Sequence, residues 1–136
     1  MHRTLAALVA ALAIPAAAAA QSYPGDSGAG TERGIQELNN SGQVGTATLY
    51  AHGATTTVVV AIKGAGSKSE SVRIYRGPSC DDIAGKPQQG LSDLHNGSSR
   101  TTVKMSQDRL LSGNYNVVLF SSTAGGARSV ACGHLY

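Results

Sequence analysis

The chain has 136 residues, with 11 Lys+Arg against 8 Asp+Glu, a formal net charge of +3, 4% aromatic residues and no Trp. Without an N-terminal export signal, roughly 116 residues remain, enough for one core and too few for most two-domain enzymes. So small a basic excess gives no electrostatic hold on nucleic acid or an anionic membrane, and 17 glycines among short β-branched runs disfavour a helical bundle.

The first 20 residues read as a signal peptide: His2 and Arg3, an apolar stretch from Leu5 to Ile14, Pro15, then Ala18-Ala19-Ala20 before Gln21. Its apolar part is about half the ~20 residues needed to cross a bilayer, and no later stretch is long enough, so no membrane span is expected after cleavage. Export implies the periplasm or secretion, and the alanine-rich signal favours a bacterial periplasm. Residues 21–34 mix Gly, Ser, Pro and charge without apolar periodicity, as in a flexible lead-in, and a single domain is expected over 35–136. Gly25-Asp26-Ser27-Gly28 copies the tetrapeptide around the nucleophile of chymotrypsin-like proteases. A flexible lead-in offers that serine no rigidly placed base or oxyanion donors, so no catalytic residue is assigned.

Val44 to Ala51 and Thr55 to Ile62 are β-rich runs joined by His52-Gly53-Ala54, a hairpin signal. Val58, Val60 and Ile62 share one face, with Thr57, Val59, Ala61 and Lys63 on the other. Gly64-Ala65-Gly66-Ser67 reads as a hairpin turn into Ser71–Arg76, where Val72 and Ile74 face inward and Arg73 and Tyr75 outward. Gly64 to Ser69 lacks the glycine spacing of a phosphate loop.

Gly77 to Asn96 is a long connection. A strand follows at Ser99–Met105, with Thr101, Val103 and Met105 inward and Arg100, Thr102 and Lys104 outward. Ser106 to Gly113 reads as a capped helical turn. Tyr115–Ser121 and Arg128–Leu135 are the last two strands, with Gly125-Gly126 before the second. At least six short strands predict an all-β fold, an antiparallel Greek-key β-sandwich or flattened barrel, with one short helical turn near 106–112.

Cys80 and Cys132 are an even pair without CxxC spacing, which in an exported chain reads as one disulfide; two thiols binding a metal is the competing reading. The bridge would close a loop of about 50 residues, worth about 4 kcal/mol in the chain-entropy model. Asp81-Asp82 has no EF-hand-like spacing around it, and Asn39-Asn40-Ser41 and Asn96-Gly97-Ser98 are N-x-S sequons.

Four segments in order, Gly45 to Leu49, Val72 to Cys80, Leu110 to Val118 and Val130 to Gly133, resemble the Greek-key barrel of the copper/zinc superoxide dismutases and the related chordin-type (CHRD) secreted domains. The resemblance spans nearly all of Leu38 to Leu135 and implies that Cys80 pairs with Cys132. It also implies copper ligands on alternate residues of the strand before the first cysteine and on the penultimate strand. Those positions hold Arg73, Tyr75 and Phe120, which offer no imidazole donor, and a His-rich zinc loop has no counterpart between Cys80 and Ser99.

Dismutation is therefore not expected and no cofactor is assigned. Arg73, Tyr75 and Phe120 form instead a candidate patch, either a packed plug or a contact surface for an extracytoplasmic ligand or protein. The functional expectation is an exported, non-catalytic binding or structural module. The alternative is a divergent copper- or zinc-binding protein using His52, His95 and His134. A small hydrolase would need Ser, His and Asp in one pocket, which the spacing does not provide.

Overall fold

Alternation of apolar and polar residues builds the central hairpin as expected. β2 (Val44–His52) and β3 (Thr55–Lys63) pair antiparallel from Val44 opposite Lys63 to His52 opposite Thr55, and Gly53 turns the chain at φ 67°. The computed structural model describes residues 29–66, 68–83, 85–123 and 126–136; the expected signal peptide and Gly25-Asp26-Ser27-Gly28 lie outside the described residues. The remaining elements are β1 (Thr31–Glu37), β4 (Ser71–Arg76), β5 (Gln89–Gly90), β6 (Ser98–Val103), α1 (Gln107–Ser112), β7 (Tyr115–Thr123) and β8 (Gly126–His134).

Among the described residues eight strands form one antiparallel sheet in the order β5-β4-β7-β8-β1-β2-β3-β6, curled until it nearly closes into a barrel. Two crossings make it a Greek key: the chain leaves β3 for β4, and later leaves β6 for β7 with α1 between them. β1 joins the halves by changing partners, Thr31–Ile35 against β2 and Gln36–Glu37 against β8. The gap between β4 and β6 is laced by residues 91–98. Leu91 N donates to Val72 O, Ser92 N to the Thr101 hydroxyl, and Ser99 Oγ to Ser92 O, while Leu94 and Glu70 exchange backbone hydrogen bonds.

Inside the barrel Ile35, Leu49, Val58, Val60, Val72, Ile74, Leu94, Val103, Val117, Leu119 and Leu135 are buried. Leu110 brings α1 into the same cluster. Ser106 starts the helix by accepting from Arg109 N at 3.3 Å, and Gly113 ends it. A second, smaller cluster lies on the outer face: Tyr75, Val118 and Cys132, with Leu38, Cys80, Ile83 and Phe120 packed on it. Cys80 and Cys132 are bridged, their Cα atoms 6.0 Å apart, as suits an oxidising environment. No helix among the described residues is long and apolar enough to cross a membrane.

Several expectations need correction. Among the described residues the first strand begins at Thr31, inside the expected lead-in, because Thr31–Gly34 is held by pairing to β2 rather than by apolar side chains of its own. The Gly64 turn closes no hairpin: β3 pairs with β2 and β6 while β4 pairs with β5 and β7, so the turn carries the chain across the barrel. Tyr75 does point away from the interior, yet it is buried, because the chain after β4 folds back over that face. β6 ends at Val103, leaving Met105 half-buried against the core beyond the strand. The half-buried Thr101 uses its hydroxyl to hold Ser92.

Candidate functional site

The sequence-derived patch is brought together by the pairing of β4 with β7, in which Arg73 stands opposite Val118 and Ser71 opposite Phe120. Arg73, Tyr75 and Phe120 share the outer face. The Tyr75 and Phe120 rings meet edge to face at 5.9 Å between centroids, and the Arg73 guanidinium carbon stands 5.9 Å from the Phe120 centroid. Tyr75 is buried and Phe120 half-buried among Val118 and the bridged cysteines, so only Arg73 is exposed to solvent. The arrangement closes the outer cluster as a lid. A double-mutant cycle on Arg73→Ala and Phe120→Ala, read by denaturant unfolding, is expected to give a coupling of about 0.5–1 kcal/mol.

The other sequence candidates stay apart. His134 Nδ1 is 2.6 Å from Asn116 Oδ1, its ring stacks obliquely on Tyr136 at 5.2 Å, and Asn116 Nδ2 donates to Gly77 O. His134 thus helps seat the chain that leads to Cys80. His52 ends β2 and His95 lies in the 91–98 segment, and among the described residues no three His, Cys, Asp or Glu side chains are placed to hold a metal ion. Asp81 and Asp82 are exposed in the turn after Cys80. Both sequon asparagines, Asn39 and Asn96, occupy left-handed turn positions at φ 55° and 50°.

Sequence reasoning missed a polar cavity of about 530 Å³ at one end of the barrel, a volume in the range of small-molecule sites. Three connections frame it: the β1–β2 turn, the β3–β4 crossing and the facing ends of β7 and β8. The first turn is fixed by Ser41 Oγ donating to Val130 O, by Asn39 Nδ2 donating to Ser129 O at 2.8 Å and by Arg128 Nη2 donating to Asn39 O at 2.9 Å. The crossing lies so close that a Cβ on Gly64, whose φ is 87°, would meet Gly42 O at 2.5 Å. Only glycine fits there.

Glu70 and Gln43 stand in this wall, 3% and 6% exposed. Gln43 Nε2 donates to Glu70 Oε1 at 2.6 Å, and the other two oxygens, Glu70 Oε2 and Gln43 Oε1, are buried without a partner among the described residues. A buried acceptor left unmade costs about 1–3 kcal/mol, and more for a charged group. The signal for both residues was present in the strand parity. Glu70 has the inward parity of Val72 and Ile74, and Gln43 that of Ala47 and Leu49, so two polar side chains fall on apolar faces. Comparison of the chain with family models, curated proteins and solved structures finds no match.

Proposed function

We propose that this chain is an exported, non-catalytic binding module on a superoxide-dismutase-like or chordin-type scaffold, and that its ligand sits in the polar cavity. The observation that carries this reading is the buried Glu70–Gln43 pair in the cavity wall, two of whose oxygens have no partner among the described residues. Buried polar groups are nearly always satisfied, and one that is not points to a missing partner. The Greek-key order and the bridge between Cys80 and Cys132 support the scaffold. The positions that the resemblance gives to copper hold Arg73, Tyr75 and Phe120, which supports a role without redox metal. The chain works in the periplasm or outside the cell.

Glu70→Gln tests this reading. A carboxylate kept for ligand recognition is a burden on the free fold, so the amide is expected to leave the melting temperature unchanged or raise stability by up to about 1 kcal/mol. A loss of more than about 1 kcal/mol makes Glu70 a structural tie and overturns the cavity as the ligand seat. Protein refolded with excess copper and zinc is expected to hold far less than one ion per chain. A tightly held ion in one-to-one ratio overturns the metal-free role in favour of a divergent metalloprotein using His52, His95 or His134.

A further inference from the structure

We propose that the cavity takes a small, hydroxyl-bearing organic anion, drawn in by Lys68 and Arg128. The proposal rests on the cavity being the ligand seat, and it turns on which charges an occupant meets. Glu70 belongs to the lining, yet it is 3% exposed and its Oε2 is closed to solvent, so its carboxylate stands behind the wall. Lys68 and Arg128 belong to the same lining and are both exposed, one on the β3–β4 crossing and the other on β8. Among the described residues of the lining the charge open to solvent is therefore positive, which attracts anions and repels amines.

The surroundings sharpen the choice. Arg128 is braced by its Nη2 bond to Asn39 O at 2.9 Å, and a braced guanidinium loses little freedom on meeting an anion. In the β1–β2 turn Asn39, Asn40 and Gly42 have φ 55°, 54° and 71°, and turn conformations of this kind gather backbone N–H groups into anion-binding concavities. One such group is already used in that way: Gly42 N donates to Glu37 Oε2 at 2.7 Å. Asn40, Ser41 and Ser121 add amide and hydroxyl groups to the lining, which suit hydroxyls on the ligand. The Glu70 charge behind the wall works against anions, most of all against one that concentrates its charge on a single centre. It thus favours an organic carboxylate over phosphate.

The test titrates the ¹⁵N-labelled chain at low ionic strength, following the backbone amides of Asn40 and Ser41. The probes are four-carbon compounds that differ in charge and hydroxyls, namely tartrate, succinate, erythritol and putrescine, with inorganic phosphate beside them. Tartrate is expected to bind tightest, about tenfold ahead of erythritol and phosphate, to weaken as salt is added, and to lose about tenfold in Lys68→Gln. Glu70→Gln is expected to strengthen tartrate, and phosphate by more. Erythritol as tight as tartrate, or putrescine tightest, overturns the anion, and in both cases the seat stands. Succinate as tight as tartrate overturns the role of the hydroxyls, and phosphate as tight as tartrate overturns the organic ligand. Unchanged affinity in Lys68→Gln, or loss of tartrate in Glu70→Gln, overturns the arrangement of charges. Silence toward every probe overturns the proposal, and the melting temperature of Glu70→Gln then reports separately whether the seat falls with it.

Discussion

Replacing Cys80 and Cys132 together by serine is expected to lower the folding free energy by about 4 kcal/mol and the melting temperature by roughly 15–25 °C. The bridge joins residues 52 apart in sequence, and closing so long a loop in the unfolded chain removes much of its freedom. Local structure does little to replace it. The segment after β4 is held by Gly77 N donating to Asn114 O, Asn116 Nδ2 to Gly77 O, and Tyr136 Oη to Pro78 O. Those bonds fix the start of the segment, while Ile83 and the half-buried Cys80 pack on a cluster of only three buried residues. The serine pair also removes sulfur from the outer cluster to which the Tyr75 and Phe120 rings belong. Calorimetry of the double variant beside the parent checks the expectation; a melting temperature within a few degrees of the parent would show that backbone bonds alone hold the loop.

Strand content and parity were legible wherever side chains alternate cleanly. β4 falls on the expected residues, and β2, β3, β7 and β8 within two of them, because Val, Ile, Leu and Thr mark one face of each. Thr31–Gly34 was illegible because its order comes from a neighbour: only Ile35 of β1 is buried, and the strand is held by bonds to β2 and β8. β5 was hidden for a similar reason, being two residues held against Arg73 and Ile74. The route of the chain after Lys63 was misjudged since Gly64-Ala65-Gly66 signals a tight turn without saying which strand comes next.

The sites divide along the same line. Arg73, Tyr75 and Phe120 met as expected because pairing of β4 with β7 sets their parity, whereas the burial of Tyr75 depends on a loop without periodicity. Glu70 and Gln43 lie 27 residues apart and come together through the crossing, which no local pattern encodes. Their inward parity was nonetheless visible, and a charged residue in step with Val72 and Ile74 is the kind of local conflict that marks a functional site more often than an error of pattern.

Leu94→Ala is expected to cost about 2–5 kcal/mol, although Leu94 lies outside every strand. Its side chain is fully buried in the main cluster, and its N–H and carbonyl both bond to Glu70 across the gap between β4 and β6. Truncation therefore opens a cavity at the seam where the sheet fails to close by strand pairing, and the neighbouring strands can relax into it only by breaking the lacing at Leu91 and Ser92. Leu38→Ala is the control, since Leu38 is half-buried on the outer cluster and is expected to cost no more than about 2 kcal/mol. The seam also reaches the cavity: a looser Leu94 frees the Glu70 backbone, so the Gln43 side-chain amide is expected to shift in Leu94→Ala and to stay in place in Leu38→Ala. Denaturant unfolding of both variants decides the matter. A cost below about 1 kcal/mol for Leu94→Ala would mean that the 91–98 segment does not seal the barrel in solution, and the floor of the Glu70 site would then have to be held from β3 and β4 alone.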